Sequence, residues 1–289
     1  MFAIFTNAFS RSRGAILGWG ISLGLLAMYL MPFYDTLAEQ KETLEKLLSS
    51  YPPELMAFFG DTGNMTALFT PEGYLGFEFF SYMPIILGIF AVLAGSGLLA
   101  SDEENGTLDL VLAHPVSRTG LFFGRVLAFT ATTTCILGVV WLGLVIGRSW
   151  STIELTAVEL AWPFLSLGAE LMLFGAGTLA LSMLLPSRRL AATVAGLALV
   201  ASYFITSLAR INDDLKEIVK FSPLNYYQGG DAIRELNGEW LFGLLGVAAL
   251  FTLLAWWRFE RRDIRVGGEG GWGLPMLSRR KSAPVGGGS

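Results

Sequence analysis

The residues best suited to bind another molecule lie in a polar segment between the second and third apolar runs of the chain. Its first residues, Asp102 to Asn105, favour the start of a helix, because such side chains cap free backbone N–H groups and complement the helix dipole. Leu108, Val111 and Leu112 then form an apolar face at helical spacing. A short helix with an exposed apolar face is typical of a docking surface for a partner.

Glu170 is the second candidate functional residue, because its ionisable side chain lies about a third of the way along the fourth apolar run. An ionisable group inside a bilayer costs on the order of 2.5–3.5 kcal/mol and usually marks function. One interpretation is a substrate contact or a proton-linked site in a transport pathway. The alternative is a structural role, either as a protonated acid or paired with a hydroxyl of Thr206, Ser182 or Thr132.

Other polar and small residues in the apolar runs favour plainer interpretations. Thr132 is a second candidate for a pathway lining, although threonine hydroxyls in helices more often bond to carbonyls of their own helix. Small residues recur at close helical spacing and predict tight helix packing. They are Gly14, Gly18, Gly20 and Gly24 in the first run, and Gly120, Gly124, Ala128 and Thr132 at the third.

The counts of reactive residues argue against a metal centre or an intramembrane enzyme. The chain has one cysteine, Cys135, and one histidine, His114. A disulfide framework or a Cys/His metal cluster needs more of both, and an intramembrane enzyme needs a nucleophile–base pair or a metal triad at membrane depth. Cys135 lies in an apolar run, so we expect a buried, inert thiol. No cofactor is expected in this chain.

Composition indicates that lipid covers much of the surface. Of the 289 residues, 53% are hydrophobic and only 15% are charged, against about 25% charged in soluble domains. Six apolar runs approach the roughly 20 residues that a transmembrane helix needs, at about 14–33, 79–100, 122–147, 163–185, 190–209 and 240–257. We therefore predict an all-α integral membrane protein with a six-span domain over 14–257. A tight turn at Pro186 separates the fourth and fifth spans; the alternative is a kink in one helix.

Basic residues predict the orientation. With both termini inside, thirteen Lys and Arg residues fall in inside segments and seven in outside segments, and a cytoplasmic excess is the rule for membrane proteins. The coupling loop, 101–120, is then cytoplasmic, and the loops 34–78 and 210–239 are external. The net charge of −4 gives no indication of nucleic-acid binding.

The regions outside the spans have their own patterns. Residues 1–13 predict an amphipathic helix in the inner interface, with Phe2, Phe5 and Phe9 on one face. The first apolar run lacks a small-residue cleavage site, so we expect it to be retained as a span. The first external loop predicts an amphipathic helix through Leu37, Leu44, Leu47 and Leu48. The last external loop predicts a short helical hairpin that dips into the outer leaflet. Residues 258–289 form a basic tail that ends in what we interpret as an artificial linker.

The loop between the second and third spans resembles the type-2 ABC permease family, whose members carry E-E-x-G-T-L-D-L-L-L-A-x-P-V-S-R at this place. This chain reads EENGTLDLVLAHPVSR over 103–118, with Val111 in place of a leucine. The likeness extends to YPPEL at 51–55, to SPL at 222–224 and to FERRDI at 259–264, and so covers nearly the whole chain.

The resemblance implies a division of labour between subunits. A separate ABC ATPase, in two copies, binds ATP and Mg and docks on this loop, while a second permease copy, expected to be identical, pairs with this one in the plasma membrane of a prokaryotic cell. This chain has no G-x-x-x-x-G-K-[ST] phosphate loop of its own, so we do not expect it to be an enzyme. The implied ATPase-coupling residues are Glu103, Glu104, Asn105, Gly106, Thr107, Leu108, Asp109, Leu112 and Arg118.

Two functions fit this resemblance. The first is export of a hydrophobic or amphipathic substrate such as a drug, lipid or peptide, powered by the partner ATPase. The second is a mechanical coupler that transmits ATPase motion to an extracytoplasmic partner without moving cargo.

Overall fold

A computed structural model describes residues 1–41, 43, 46, 69–104, 106, 117–210 and 212–261, and no strand occurs among them. The helices are α1 (Phe2–Arg11), α2 (Arg13–Glu39), α3 (Pro71–Phe80), α4 (Met83–Gly97), α5 (Ala100–Glu104), α6 (Arg118–Gly147), α7 (Trp162–Leu184), α8 (Arg188–Leu208), α9 (Lys216–Val219) and α10 (Gly238–Arg261).

The long helices fit a protein that crosses the membrane several times. Within the described ranges, α2, α6, α7, α8 and α10 are each long and apolar enough to span a bilayer. Helices α3 and α4 add a sixth span if they are counted as one helix bent by 40°. The all-helical membrane fold is thus confirmed, with five or six candidate spans. Helix α7 ends at Leu184 and α8 begins at Arg188, so the break near Pro186 is a turn between two helices and not a kink.

The first two spans reach further than the hydropathy pattern predicts, into the segment expected as the external loop 34–78. A pair of hydrogen bonds joins them in this region. The Tyr34 hydroxyl donates to the Phe69 carbonyl at 3.0 Å, and the Tyr74 hydroxyl donates to the Leu30 carbonyl at 2.8 Å. These bonds fix both helix ends against each other, although the sequence there is less apolar.

Helix α7 is the centre of the bundle. The apolar window of α7 is 72% buried, whereas those of α8 and α10 are 22% and 17% buried. On one side, Leu167, Leu171 and Phe174 join the main core with residues of α2, α4 and α6. On another side, Ala169 and Leu173 pack against α10. Most residues of α7 are therefore placed among the other helices, whereas a few, such as Leu165, are exposed.

Glycines set the closest helix contacts. A side chain added at Gly143 of α6 would collide with the Gly24 carbonyl of α2, and one at Gly95 of α4 would collide with the Gly175 carbonyl of α7. The predicted packing role is confirmed for Gly24, whose neighbour on α6 is Val139. Gly14 and Gly18, in contrast, have open space around them, because a Cβ added at either residue would have no atom of the described chain within 4 Å.

Two expectations about single elements have different outcomes. The N-terminal helix is present as α1, where the Phe5 and Phe9 rings stack with centroids 5.8 Å apart and Ile4 packs on Gly124. Its position at the membrane interface stays a prediction. The expectation of a buried Cys135 was wrong, because the helical register turns Cys135 to the exposed surface of α6 beside the buried Thr132.

The chain between α8 and α10, where we expected a short helical hairpin, folds into a series of short helical turns, and its insertion into the outer leaflet stays a prediction. It contains α9 and turns at Pro223–Tyr226 and Gly229–Ile233, with Ala232 and Ile233 buried. Gly230 lies against Gly76 of α3. The predicted external helix through Leu44, Leu47 and Leu48, and the tail from 262 onward, lie outside the described residues.

Candidate coupling site and buried carboxyl group

The start of the predicted coupling segment forms the short helix α5. The Gly106 N–H donates to the Glu103 carbonyl at 3.2 Å, and Gly106 has φ +65°, a conformation that favours glycine and ends helices. Gly106 thus has a structural reason to be glycine. The predicted contacts Asn105, Thr107, Leu108, Asp109 and Leu112 lie outside the described residues.

A part-buried ion pair joins α5 to α6. The Arg125 guanidinium donates to the Asp102 carboxylate, and its other nitrogen donates to the Leu98 carbonyl at 2.5 Å. The two charged side chains are 14% and 12% exposed. The charge of Arg125, which lies two turns inside α6, is therefore balanced by the start of the loop.

The start of α8 is attached to the same short helix. The Arg188 backbone N–H donates to the Glu104 carboxylate at 3.0 Å, while the Ser187 hydroxyl accepts from the Leu190 N–H and caps α8. An acidic group at a helix N-terminus is electrostatically favourable. The Glu104 carboxylate is therefore engaged within this chain.

The side chain of Arg188 extends the attachment to the end of α4. Its guanidinium donates to the Ser96 hydroxyl at 3.4 Å and to the Ser101 hydroxyl at 3.5 Å. Gly97 leaves room for it, because a Cβ there would lie 3.1 Å from the Arg188 Nη2 atom.

The far end of the coupling segment meets α10. The Thr119 hydroxyl donates to the Glu260 carboxylate at 2.6 Å, and Arg118 reaches the Glu260 carbonyl at 3.5 Å. Beneath these groups, Phe122 and Phe259 share one cluster with Leu99 and Met183. The structure thus brings Glu103, Glu104, Gly106 and Arg118 to one end of the bundle.

Glu170 lies on α7 at the middle of the bundle. It is 0% exposed, and neither carboxyl oxygen has a hydrogen-bond partner among the residues that the structure describes. The suggested hydroxyl partners are all engaged elsewhere: Thr132 donates to the Ala128 carbonyl at 2.7 Å, Ser182 to the Leu179 carbonyl at 2.7 Å, and Thr206 bonds with Ser222 at 2.9 Å. The structural alternative of a hydroxyl pair is therefore not found.

The turns before α10 cover the same face of α7. One helical turn from Glu170, the Ser166 hydroxyl accepts from the Gln228 N–H at 3.0 Å. The Tyr227 hydroxyl donates to the Phe80 carbonyl at 3.0 Å. Burial and, secondarily, the nearby Glu170 carboxyl raise the pKa of the Tyr227 hydroxyl well above its usual range. The side chain of Gln228 closes this segment through two bonds to the Asn237 backbone, at 2.6 and 3.0 Å.

Sequence reasoning missed the internal partners of the loop. The sequence pattern indicates a capping role for Asp102, and it includes Arg125 and Arg188 only among the thirteen basic residues of the inside segments. Their opposite charges at neighbouring span ends are a signal that a search for ion pairs across loops would have found.

The comparison with known families decides the class of protein. A model of the ABC-2 family transporter proteins matches residues 2–264. The chain belongs to the ABC-2 transporter family. As an ABC-2 protein it is a multi-pass membrane component of an ABC transporter, and membership of this family implies association with an ATP-binding subunit. No curated protein matches the chain. The match spans both the coupling segment and Glu170, so both belong to the ABC-2 portion of the sequence.

Proposed function

We propose that this ABC-2 protein is the permease of an exporter that moves a hydrophobic or amphipathic substrate, such as a drug, lipid or peptide, out of the cytoplasm or the inner leaflet. The observation that carries the proposal is the family match over residues 2–264. A separate ATPase hydrolyses the ATP, with two ATPase copies serving two identical permeases in the plasma membrane of a prokaryote. Both termini and the coupling segment face the cytoplasm.

The coupling segment is the proposed contact with the ATPase. Its acidic start and the apolar face of Leu108, Val111 and Leu112 suit docking into a partner groove. Support comes from the internal bonds of Asp102 and Glu104, which fix the base of the segment on the bundle. In this proposal the apolar part supplies the docking surface, and the acidic part holds it in place.

Glu170 is the proposed polar group of the pathway, with Thr132 as a second lining candidate. A carboxyl group without hydrogen-bond partners contributes little to holding the fold together and is costly to bury. Its position beneath Tyr227 and Gln228 suits a group that becomes accessible when this external segment lifts from α7. The hydroxyl of Thr132 bonds within α6 and would line the pathway through its lone pairs.

The test is reconstitution of the permease with its ATPase in liposomes. A fluorescent phospholipid and ethidium serve as probes for lipid and amphipathic cargo. We expect ATP to drive movement of one of them across the bilayer, with no movement when ATP is replaced by ADP. ATP hydrolysis without movement of either probe would contradict export and would favour the mechanical coupler.

A further inference from the structure

We propose that Arg125 and Arg188 are positioning residues that carry the displacement of the coupling segment into α6 and α8. This inference rests on the proposed function, because it assumes that an ATPase moves the segment. It goes further by naming the connections through which the motion enters the bundle.

Arg125 provides the connection to α6. Its side chain is only 14% exposed, and that of its partner Asp102 is only 12% exposed. If the pair separates, water cannot readily solvate either charge, so separation is unfavourable. Removing one member of a shielded pair leaves the other charge uncompensated, which is strongly unfavourable. The second bond, to the Leu98 carbonyl, holds the guanidinium at the junction of α4 and α5. A shift of α5 must therefore move α6 or break this pair.

Arg188 provides the connection to α8, because it forms hydrogen bonds with α5 near both ends of that short helix. Its guanidinium bonds to Ser101 at the start of α5, and its backbone N–H bonds to Glu104 at the end. Since Arg188 is itself the first residue of α8, no flexible linker separates these contacts from the span. A displacement of α5 therefore acts directly on the axis of α8.

The link at the other end of the coupling segment differs in character. The contacts that Arg118 and Thr119 make with Glu260 of α10 are exposed to solvent. Exposed polar pairs contribute little, typically under about 1 kcal/mol. The best-shielded attachment of the segment is thus the Asp102–Arg125 pair on α6. The attachment to α8 combines an exposed bond to Glu104 with two part-buried bonds of the Arg188 guanidinium. We expect α6 and α8 to respond first when the ATPase closes, because α10 is joined to the segment through exposed contacts alone.

The experiment measures the response of the spans without needing the cargo. In a Cys135→Ser background, nitroxide labels at Trp150→Cys and Arg210→Cys report the distance between the far ends of α6 and α8 in the complex with the ATPase. Distances are recorded without nucleotide and after trapping with ATP and vanadate.

The variants are Arg125→Gln and Arg188→Gln. The control is Arg189→Gln, which removes the neighbouring but exposed guanidinium. If Arg125→Gln does not fold, the double variant Asp102→Asn with Arg125→Gln replaces it, because it removes both charges of the pair and leaves neither one uncompensated.

We expect trapping to shift the distance distribution in the parent and in Arg189→Gln. In both Arg125→Gln and Arg188→Gln the ATPase should still co-purify and hydrolyse ATP. The shift should be lost in Arg125→Gln and reduced in Arg188→Gln, which keeps the backbone N–H bond to Glu104. A full shift in both variants would overturn the proposal. Loss of ATPase binding in them would also overturn it, because the two arginines would then serve docking. If the parent itself binds no ATPase, the proposed function fails first, and this outcome is distinct from a failure of the positioning role.

Discussion

At the scale of single residues, Glu170 shows how burial can separate function from stability. Its two oxygens have no hydrogen-bond partner in the described bundle, and leaving a buried polar group unsatisfied costs about 1–3 kcal/mol. Helix α7 keeps this carboxyl group where an apolar side chain would pack at lower free energy. Such a residue is expected at a site that works in another conformation of the protein.

We predict that Glu170→Met keeps or raises the thermal stability of the purified protein, since it removes two unpaired oxygens and preserves volume. The matched isostere Glu170→Gln should keep the fold and change transport in the liposome assay or its dependence on pH. Glu78→Met, at an exposed position, is the control and should leave transport unchanged. A clear loss of stability in Glu170→Met, with normal transport in Glu170→Gln, would assign Glu170 to packing.

The sequence indicated which residues are unusual, but it did not show which other residues they contact. Glu170 stood out because a carboxyl group in an apolar run is costly wherever it lies. The pairing of Asp102 with Arg125 joins residues on two helices, and only the packing of those helices brings them together. For the same reason, an apolar run could not show that Cys135 faces outward.

At the scale of elements, glycines decide how closely the spans approach. Gly143 faces the Gly24 carbonyl without room for a side chain, whereas Gly138 on the same helix has open space around its Cβ position. The first pattern is typical of close helix pairs in membranes. The second shows that small residues in α6 do not all serve packing within this chain.

Gly143→Ala should therefore destabilise the purified protein, since the added methyl group forces α2 and α6 apart, at a cost of about 1–3 kcal/mol. Gly138→Ala is the matched control and should be neutral or stabilising by up to about 1 kcal/mol. Thermal unfolding in detergent measures both. Equal effects of the two substitutions would show that α2 and α6 do not pack at Gly143.

The elements also show where hydropathy stops being a guide. The existence of the long helices and the break near Pro186 follow from apolar length and breakers. The helical stretch from Pro71 was missed because Glu72 and Glu78 lower its hydropathy. It is held by contacts that a scan of local composition does not see, such as the Tyr74–Leu30 hydrogen bond and the approach of Gly76 to Gly230.

At the scale of the whole molecule, the coupling segment and the pathway candidate belong to one connected structure. The segment is attached to α6 and α8. Both helices share the main core with α7, which carries Glu170. In the proposed mechanism, α6 and α8 carry motion of the segment from this end of the bundle toward its middle. The segment resembles the coupling loop of the family, but its central apolar residues lie outside the described residues.

The central claim is that this segment docks the ATPase, and Leu108→Asp tests it most directly. A charge in an apolar docking face should cost 2 kcal/mol or more, roughly a thirtyfold loss of affinity. The permease should still insert, because Leu108 lies outside the spans.

The control is Val158→Asp, which places the same charge on an exposed residue on the predicted outer side. Co-purification of the ATPase with each variant is the measurement. We expect the ATPase to be lost from Leu108→Asp and kept by Val158→Asp. Full recovery of the ATPase with Leu108→Asp, together with parental transport, would contradict the account.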